Sequence, residues 1–541
     1  MDELPSTIEA YHLRSKHFPQ RYAEGPAFLD WDCQPNPFRR YAGARKVPLP
    51  LLFGAPAPAF HDLGQAPASA LNEASLGLFL ELALGLSAWK EVPGARWAVR
   101  NNPSSGNLHP TEGWLVLPAL AGIGNVPALY HYAPFEHALE ERCVFEEAPG
   151  LPEEGFFLAL SSVAWREAWK YGERAFRYCQ HDAGHALASA AYAAACLGWR
   201  AELLASVDDD TVTGLLGLDR PDAAHAGERE YADLIAFVRT HGADKRMPEL
   251  PAFERWRGDW FGTANRLSED HEPWPAVTRA AALTHKPRTE APPILEGTVT
   301  LRGTRAYSPG ALRSAAAVIR NRRSVQNMDN QTAISRATLE RLLAATLPDL
   351  QRPPWSTYPW AAGIALFVFV HRVEGLTPGL YALLRSPTML ERLRAACDPA
   401  FSWAAVPGMD LPFYALREGD FRKLAAALSC HQGIAGRSAF SLGMVADFAR
   451  TLKQEGPWSY RRLFWEAGTI GHVLYLEATA ANLSGTGIGC YFDDEMHRLL
   501  GLSPGSIEWQ SLYHFTVGGG YEDSRVSTSP PYAHLDFARA R

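Results

Sequence analysis

One pattern occurs twice along this chain. The segment YCQHDAGHALASAAYAAACLGWRAELLASVDDDTVTGLLGLDRP lines up, with small gaps, against FWEAGTIGHVLYLEATAANLSGTGIGCYFDDEMHRLLGLSP. Gly184-His185 falls over Gly471-His472, Asp208-Asp209 over Asp493-Asp494, and the Leu-Leu-Gly-Leu run at 215–218 over the run at 499–502. A second echo sets ALYHY near Tyr130 against GLYAL near Tyr381, each after a strand-like segment. Several echoes in one order imply two homologous halves.

Each half mixes helices and strands. Leu76, Phe79, Leu80, Ala83 and Leu84 have helical spacing in the first half, as do Leu339, Leu342, Leu343 and Leu347 in the second. Residues 114–117 and 364–370 read as buried strands. Ala-rich helices are expected over 184–197 and 471–483, their small residues allowing close packing. This is an α+β pattern. Between the halves, HEPWPAVTRAAALTHKPRTEAPPILEGTV carries five prolines and no clear periodicity, which reads as a linker.

A chain of 541 residues exceeds what one core usually organises. It is 47% hydrophobic and 21% charged, as expected of a globular protein with ample core. The formal net charge of −7 supplies no basic field, so nucleic acid is not an expected partner. The seven cysteines form no C-x-x-C pair, so neither a zinc site nor a disulfide framework is suggested, and a reducing cytoplasm is the expected location. No run reaches the roughly 20 apolar residues of a spanning helix. The N-terminus lacks an apolar signal region, so no membrane association is expected.

The stretch RNNPSSGNLHPTEGWLV, from residue 100, begins with turn residues and ends as a strand. Such loops hold backbone N–H groups outward and commonly carry ligands, although the same residues also serve an ordinary strand entry. GTGIGCY at 485–491 follows the second Ala-rich helix; its glycines permit close backbone approach and a concave anion site, or a plain helix-to-strand turn. His181 and His185 stand i, i+4 on a predicted helix without an intervening Glu, and are read, with His472, as packing residues rather than metal ligands.

Together, RNNPSSGNLHPTEGWLV and WREAWKYGERAFRYCQHDAGHA resemble the SagB/ThcOx-type dehydrogenases, the azoline-oxidising branch of the FMN-dependent nitroreductase-like superfamily. RNRRSVQN, RRLFWEAGTIGHVLYLEATAANLSGTGIGCYFDDE and TVGGGYEDSRVS resemble the same superfamily. The resemblance implies two nitroreductase-like domains, each a mixed, mainly antiparallel sheet flanked by helices, fused into an intramolecular pseudo-dimer. The expected domains are 1–285 and 299–541, with a linker at 286–298.

By the same resemblance, FMN sits between the halves. Pro103, Ser104, Ser105 and Asn107 match the loop that meets the flavin from the opposite subunit. Arg322, Arg323 and Ser324 match the Arg-x-Ser phosphate segment, where guanidinium forks suit phosphate oxygens; Gln326 stands where a basic residue is usual. Gly487, Ile488 and Gly489 match the segment beside the flavin ring, and Arg525 the late basic residue near the phosphate. The second half has no Ser-Ser-Gly-Asn loop and the first no Gly-rich segment, so one FMN per chain is expected. Arg14 and Lys16 are candidate relics or substitutes at the second position, and Arg100 either reaches the flavin or caps the loop.

Lys170-Tyr171 matches the catalytic Lys-Tyr pair of azoline dehydrogenases. The pair would supply a base, on the argument that the cation lowers the phenol's pKa. The implied activity is dehydrogenation of a thiazoline or oxazoline-type ring in a small molecule or peptide, possible partners being the enzymes of a peptide-modifying complex. The alternatives are an NAD(P)H-dependent nitro or quinone reductase, and a non-catalytic flavoprotein component of such a complex.

Overall fold

A computed structural model describes residues 4–241, 250–290, 292, 313–503 and 505–535. Of the expected linker, 291 and 293–298 lie outside the described residues, as do 299–312 at the expected start of the second domain.

Both halves are built on one sheet topology. In the first, β1 Thr111–Leu117, β2 Ala128–Ala133, β3 Ala138–Glu147, β4 Gly155–Val163, β5 Arg200–Leu203 and β6 Glu230–Arg239 lie in the order β3-β2-β1-β4-β6-β5. In the second, β7 Ile364–Val370, β8 Gly379–Leu383, β9 Phe413–Glu418, β10 Phe440–Asp447, β11 Ser484–Ile488 and β12 Trp509–Gly518 lie in the order β9-β8-β7-β10-β12-β11. All neighbours in these two series are antiparallel. The short pair Ile334–Ser335 and Val373–Glu374 is parallel, so the expected mixed, mainly antiparallel α+β architecture is what the chain adopts. Every residue of β1 and β7 is buried, which is why IALFVFV is apolar throughout rather than alternating.

Two helices follow the fourth strand of each half: α1 Ala164–Tyr171 and α2 Ala175–Cys196 in the first, α3 Phe448–Glu455 and α4 Ser459–Ala480 in the second. A single offset of 284 residues relates both pairs. The long helices begin earlier than expected because their charged first turns are buried in mutual ion pairs. Arg177 meets Asp493 at 2.7 Å, and Arg461 meets Asp209 at 2.7 Å. Every residue of α2, and all but Thr479 of α4, is buried, as befits a helix enclosed on all sides.

The same offset corrects the alignment at the helices. Gly184 pairs with Gly468, not Gly471, because these are the positions where α2 and α4 cross. A Cβ on Gly184 would lie 2.3 Å from Trp465 O, and one on Gly468 2.2 Å from His181 O. Trp465 and His181 are themselves 284 residues apart, so the contact is isologous.

The termini are exchanged between the halves. Near the first helix, Ile8–Arg14, His12 Nε2 reaches Gln510 Oε1 at 3.1 Å and the His17 N–H donates to Asp493. Strand Ser527–Ser529 joins the hairpin Leu86–Val92 and Ala95–Arg100. The Pro-rich stretch, expected to be irregular, contains a helix at Pro275–Leu283 with Pro275 in its first turn, where the missing N–H costs nothing. Just beyond it the Lys286 N–H donates to Asp209 at 2.8 Å, as His17 does to Asp493, making this helix the counterpart of Ile8–Arg14.

Candidate functional site

A cavity of about 840 Å³ opens at the seam of the two halves. Its first-half wall is the loop after Arg100. Gly106, Asn107 and His109 take left-handed backbone angles, so the chain turns tightly. Asn107 Nδ2 donates to Ala98 O at 2.8 Å, the Ser104 hydroxyl accepts from the His109 N–H at 2.8 Å, and the Ser105 N–H and hydroxyl both donate to Asp182. The loop is thus fastened to the hairpin and to α2.

At the end of α1, Lys170 and Tyr171 reach the same cavity, with Lys170 Nζ 5.4 Å from the Tyr171 ring centre. A Cβ on Gly106 would lie 2.5 Å from the Tyr171 hydroxyl, so glycine lets the loop close over the phenol. Burial pushes the Tyr171 phenol well above 10, reinforced by Glu167, one turn back. This corrects the expectation that Lys170 lowers it. Glu167 is itself buried with neither carboxyl oxygen hydrogen-bonded, and burial and Asp182 raise it well above the usual carboxylate range.

The second-half wall joins two segments far apart in sequence. Ser324 pairs with Gly485, and the Tyr475 hydroxyl links the Ser324 hydroxyl to the Gly487 N–H, each at 2.8 Å. Cβ atoms on Gly487 and Gly489 would collide with the Tyr513 hydroxyl and the Tyr178 ring, so glycine is what lets the backbone pack this closely.

The arginines beside this wall are held by carbonyls, and the nearby carboxylate of Glu522, which acts on Arg323, is paired with Lys90. Arg322 is buried and donates to Asn101 O and Arg100 O, while its Nη1 has no partner. Arg323 donates only to the carbonyls of Arg320, Arg322 and Ser87. Neither forms an ion pair with a carboxylate among the described residues. Burial pushes the Arg322 guanidinium down to about 10, as it does Arg100, whose Nη2 meets Pro37 O at 2.5 Å.

The fold therefore brings Pro103, Ser104, Ser105, Asn107, Lys170, Tyr171, Arg322, Arg323, Ser324, Gly487, Ile488 and Gly489 to one cavity, with Arg100. Arg525 is not on its wall: the guanidinium is 84% exposed and paired with Asp523 two residues away. Arg14 is bound to Glu173 and Lys16 to Asp494. At the related place on the other half, Gln454 and Glu455 stand where Lys170 and Tyr171 do, and the turn Trp355–Thr357 packs directly against β5.

Sequence reasoning missed Tyr475, Tyr178, Tyr513 and Trp31. No local pattern marks the tyrosines, which reach the site only through helix and strand packing. Trp31 lies edge-on to Trp169, with ring centres 5.4 Å apart at the cavity mouth. His181 stacks on Tyr513, and its Nε2–H donates to Leu512 O at 3.0 Å. His185 lies 3.4 Å from the Tyr513 hydroxyl, and the His472 ring packs near Tyr192. No group of three His, Cys, Asp or Glu side chains is placed to hold a metal among the described residues.

Comparison with known proteins agrees with this architecture. Residues 319–519 match the model of the Nitroreductase family. A protein from Anabaena variabilis, provisionally described as a nitroreductase, superposes with a TM-score of 0.69 at 21% identity, covering 96% of this chain and 100% of its own. A similarly described protein from Ralstonia eutropha gives a TM-score of 0.27 at 16% identity, over 43% of this chain and 90% of its own. A chain of the E. coli microcin synthetase McbBCD complex with truncated pro-MccB17 gives 0.28 at 19% identity, over 37% and 70%. No curated protein matches. The fold is that of the nitroreductases, over 96% of the chain. No helix among the described residues is long and apolar enough to cross a membrane.

Proposed function

We propose that the chain is an FMN-dependent oxidoreductase, with domains 1–285 and 299–541 acting as a pseudo-dimer around one flavin. The cavity suits that group. Arg322 and Arg323, in no ion pair among the described residues, would hold the phosphate, and Gly487 and Gly489, packed on Tyr513 and Tyr178 with no side chain of their own, would lie beside the ring. When bound, FMN supplies a two-electron hydride acceptor.

The protein's own task is to hold substrate and move a proton. Tyr171 keeps its phenolic proton and acts as a hydrogen-bond donor, orienting the substrate. The Lys170 amine, beside it on the open side of α1, takes the proton from the substrate carbon. This assigns dehydrogenation of a thiazoline or oxazoline-type ring, in a small molecule or a peptide, with a peptide-modifying complex as the setting. The observation that carries the reading is the Arg322-Arg323 pair, in no ion pair among the described residues, on the same cavity as Lys170-Tyr171.

The purified protein should be yellow and release FMN on denaturation. Anaerobic addition of a thiazoline peptide without NAD(P)H should bleach it. Bleaching by NADPH alone would turn the assignment to a nitro or quinone reductase, and a yellow protein that accepts no electrons would make it a non-catalytic component.

A further inference from the structure

Two of the seven cysteines meet at the edge of this cavity. Cys490 lines it directly after Gly489, and the segment carrying Cys430 lies against it, setting the two thiols side by side. Both are partly exposed. Their segments are stapled on either side of the pair: the Phe492 N–H donates to Leu428 O at 2.8 Å, and Gln432 Nε2 donates to Cys490 O at 3.1 Å. Cys430 and His431 both adopt left-handed backbone angles, φ 51° and 59°, which non-glycine residues adopt at a cost and which here turn the chain tightly at the thiol.

The two thiols have different surroundings. Arg174 donates to Gly489 O at 3.2 Å, setting a guanidinium beside Cys490. The adjacent Cys430 thiol, aided by Arg174, lowers the Cys490 thiol below its ordinary value, while Cys430 is pushed up. Cys143, Cys179, Cys196 and Cys397 are buried with thiols pushed up, and Cys33 is raised beside Asp30. Thiolate character and access coincide only at Cys490 among them.

We propose that Cys490 and Cys430 form a redox-active dithiol, oxidised to an intramolecular disulfide by low-molecular-weight disulfides that enter through the cavity. The Cys490 thiolate attacks one sulfur of the incoming disulfide, forming a mixed disulfide and expelling one thiolate. Cys430 then loses its proton to solvent and attacks the Cys490 sulfur, expelling the second thiolate. Two protein thiols and one small disulfide become one protein disulfide and two small thiols. The bridge joins residues 428–432 covalently to 490–492, fixing the wall that continues from Gly487–Gly489.

The test is to incubate the intact yellow protein with oxidised glutathione, alkylate the remaining thiols and map the peptides by mass spectrometry. The Cys430 and Cys490 peptides are expected as one disulfide-linked species that dithiothreitol separates. Cys430→Ser should instead hold glutathione stably on Cys490. If both cysteines are recovered alkylated while Cys33 carries the glutathione, or if none reacts, the proposal falls; should the variant not fold, the wild-type map alone decides. Absorbance of the same sample reads the flavin separately: a colourless protein that forms the bridge overturns the FMN reading alone, and a yellow one with both thiols free overturns this proposal alone.

Discussion

Gly184 and Gly468 stand at the crossing of α2 and α4, where the backbone of the opposite helix, at Trp465 and His181, fills the space a Cβ on each would need. The crossing therefore sets how closely the two halves approach. Gly184→Ala puts a methyl 2.3 Å from the Trp465 carbonyl oxygen, against backbone that cannot rotate away. It should cost about 1–3 kcal/mol in urea unfolding. Gly214→Ala, in helix Asp209–Leu216 with nothing within 4 Å, should change stability by no more than about 1 kcal/mol, in the stabilising direction.

The reciprocal pairs Arg177–Asp493 and Arg461–Asp209 join the halves through buried charge. Asp493→Asn strands Arg174 and Arg177 without their carboxylate and should destabilise by about 3–5 kcal/mol. Arg174 and Arg177 overcome the burial that would raise Asp493, and hold it well below the usual carboxylate range. Its contribution is therefore present above its unfolded value and lost as pH falls towards the folded one. Urea midpoints measured from pH 6 down to pH 3 should fall more steeply for the wild type than for the variant.

His131 sits between Glu112, 3.0 Å away, and Glu140, 3.1 Å away. Burial opposes its charge, but the two carboxylates prevail and push it up to about 9. Since the folded value is raised, the stabilisation is full below the ordinary histidine value and disappears as pH rises through about 9. The gap in thermal midpoint between wild type and His131→Gln should be widest near pH 6 and shrink by pH 9.5.

Arg322→Ala should weaken FMN binding about tenfold to a hundredfold, the loss of one or two charge-assisted bonds. Fluorescence titration of the apoprotein with FMN measures it. Arg525→Ala should leave the affinity within twofold, because that side chain is exposed and bound to Asp523.

Lys170→Ala should slow substrate-dependent bleaching by about 10²–10⁴, the usual contribution of a positioned base, while the protein stays yellow. Tyr171→Phe should slow it less and add no new pH limb below 10, since the phenol is already protonated there. Stopped-flow bleaching across pH 6–10 distinguishes the two roles.

The repeat was legible in the sequence because corresponding elements keep their residues where they pack alike, but it set Asp208 over Asp493, one residue out of register: Asp209 is the counterpart of Asp493, each receiving an arginine from the other half. The register at the glycines was not, since His185 and His472 share a dipeptide by composition, whereas steric contact selects Gly468. The loop at 103–107 and the arginines at 322–323 showed themselves through turn and charge chemistry that is local. Tyr475, which ties Ser324 to Gly487, was hidden in an apolar helix because its role arises only when β11 and the Arg-x-Ser segment lie against it.

By itself the sequence determined two α+β halves with one repeated pattern, the apolar central strands and the turn-rich segments available for a ligand, all of which follow from short-range pattern. Only the tertiary structure decided that twelve of the candidate residues share one cavity while Arg525 stays outside, that Tyr171 keeps its proton, and that Cys430 meets Cys490. The reason is physical: distances between remote segments, and the burial that sets the charge of a phenol or a thiol, exist only once the two halves have closed on each other.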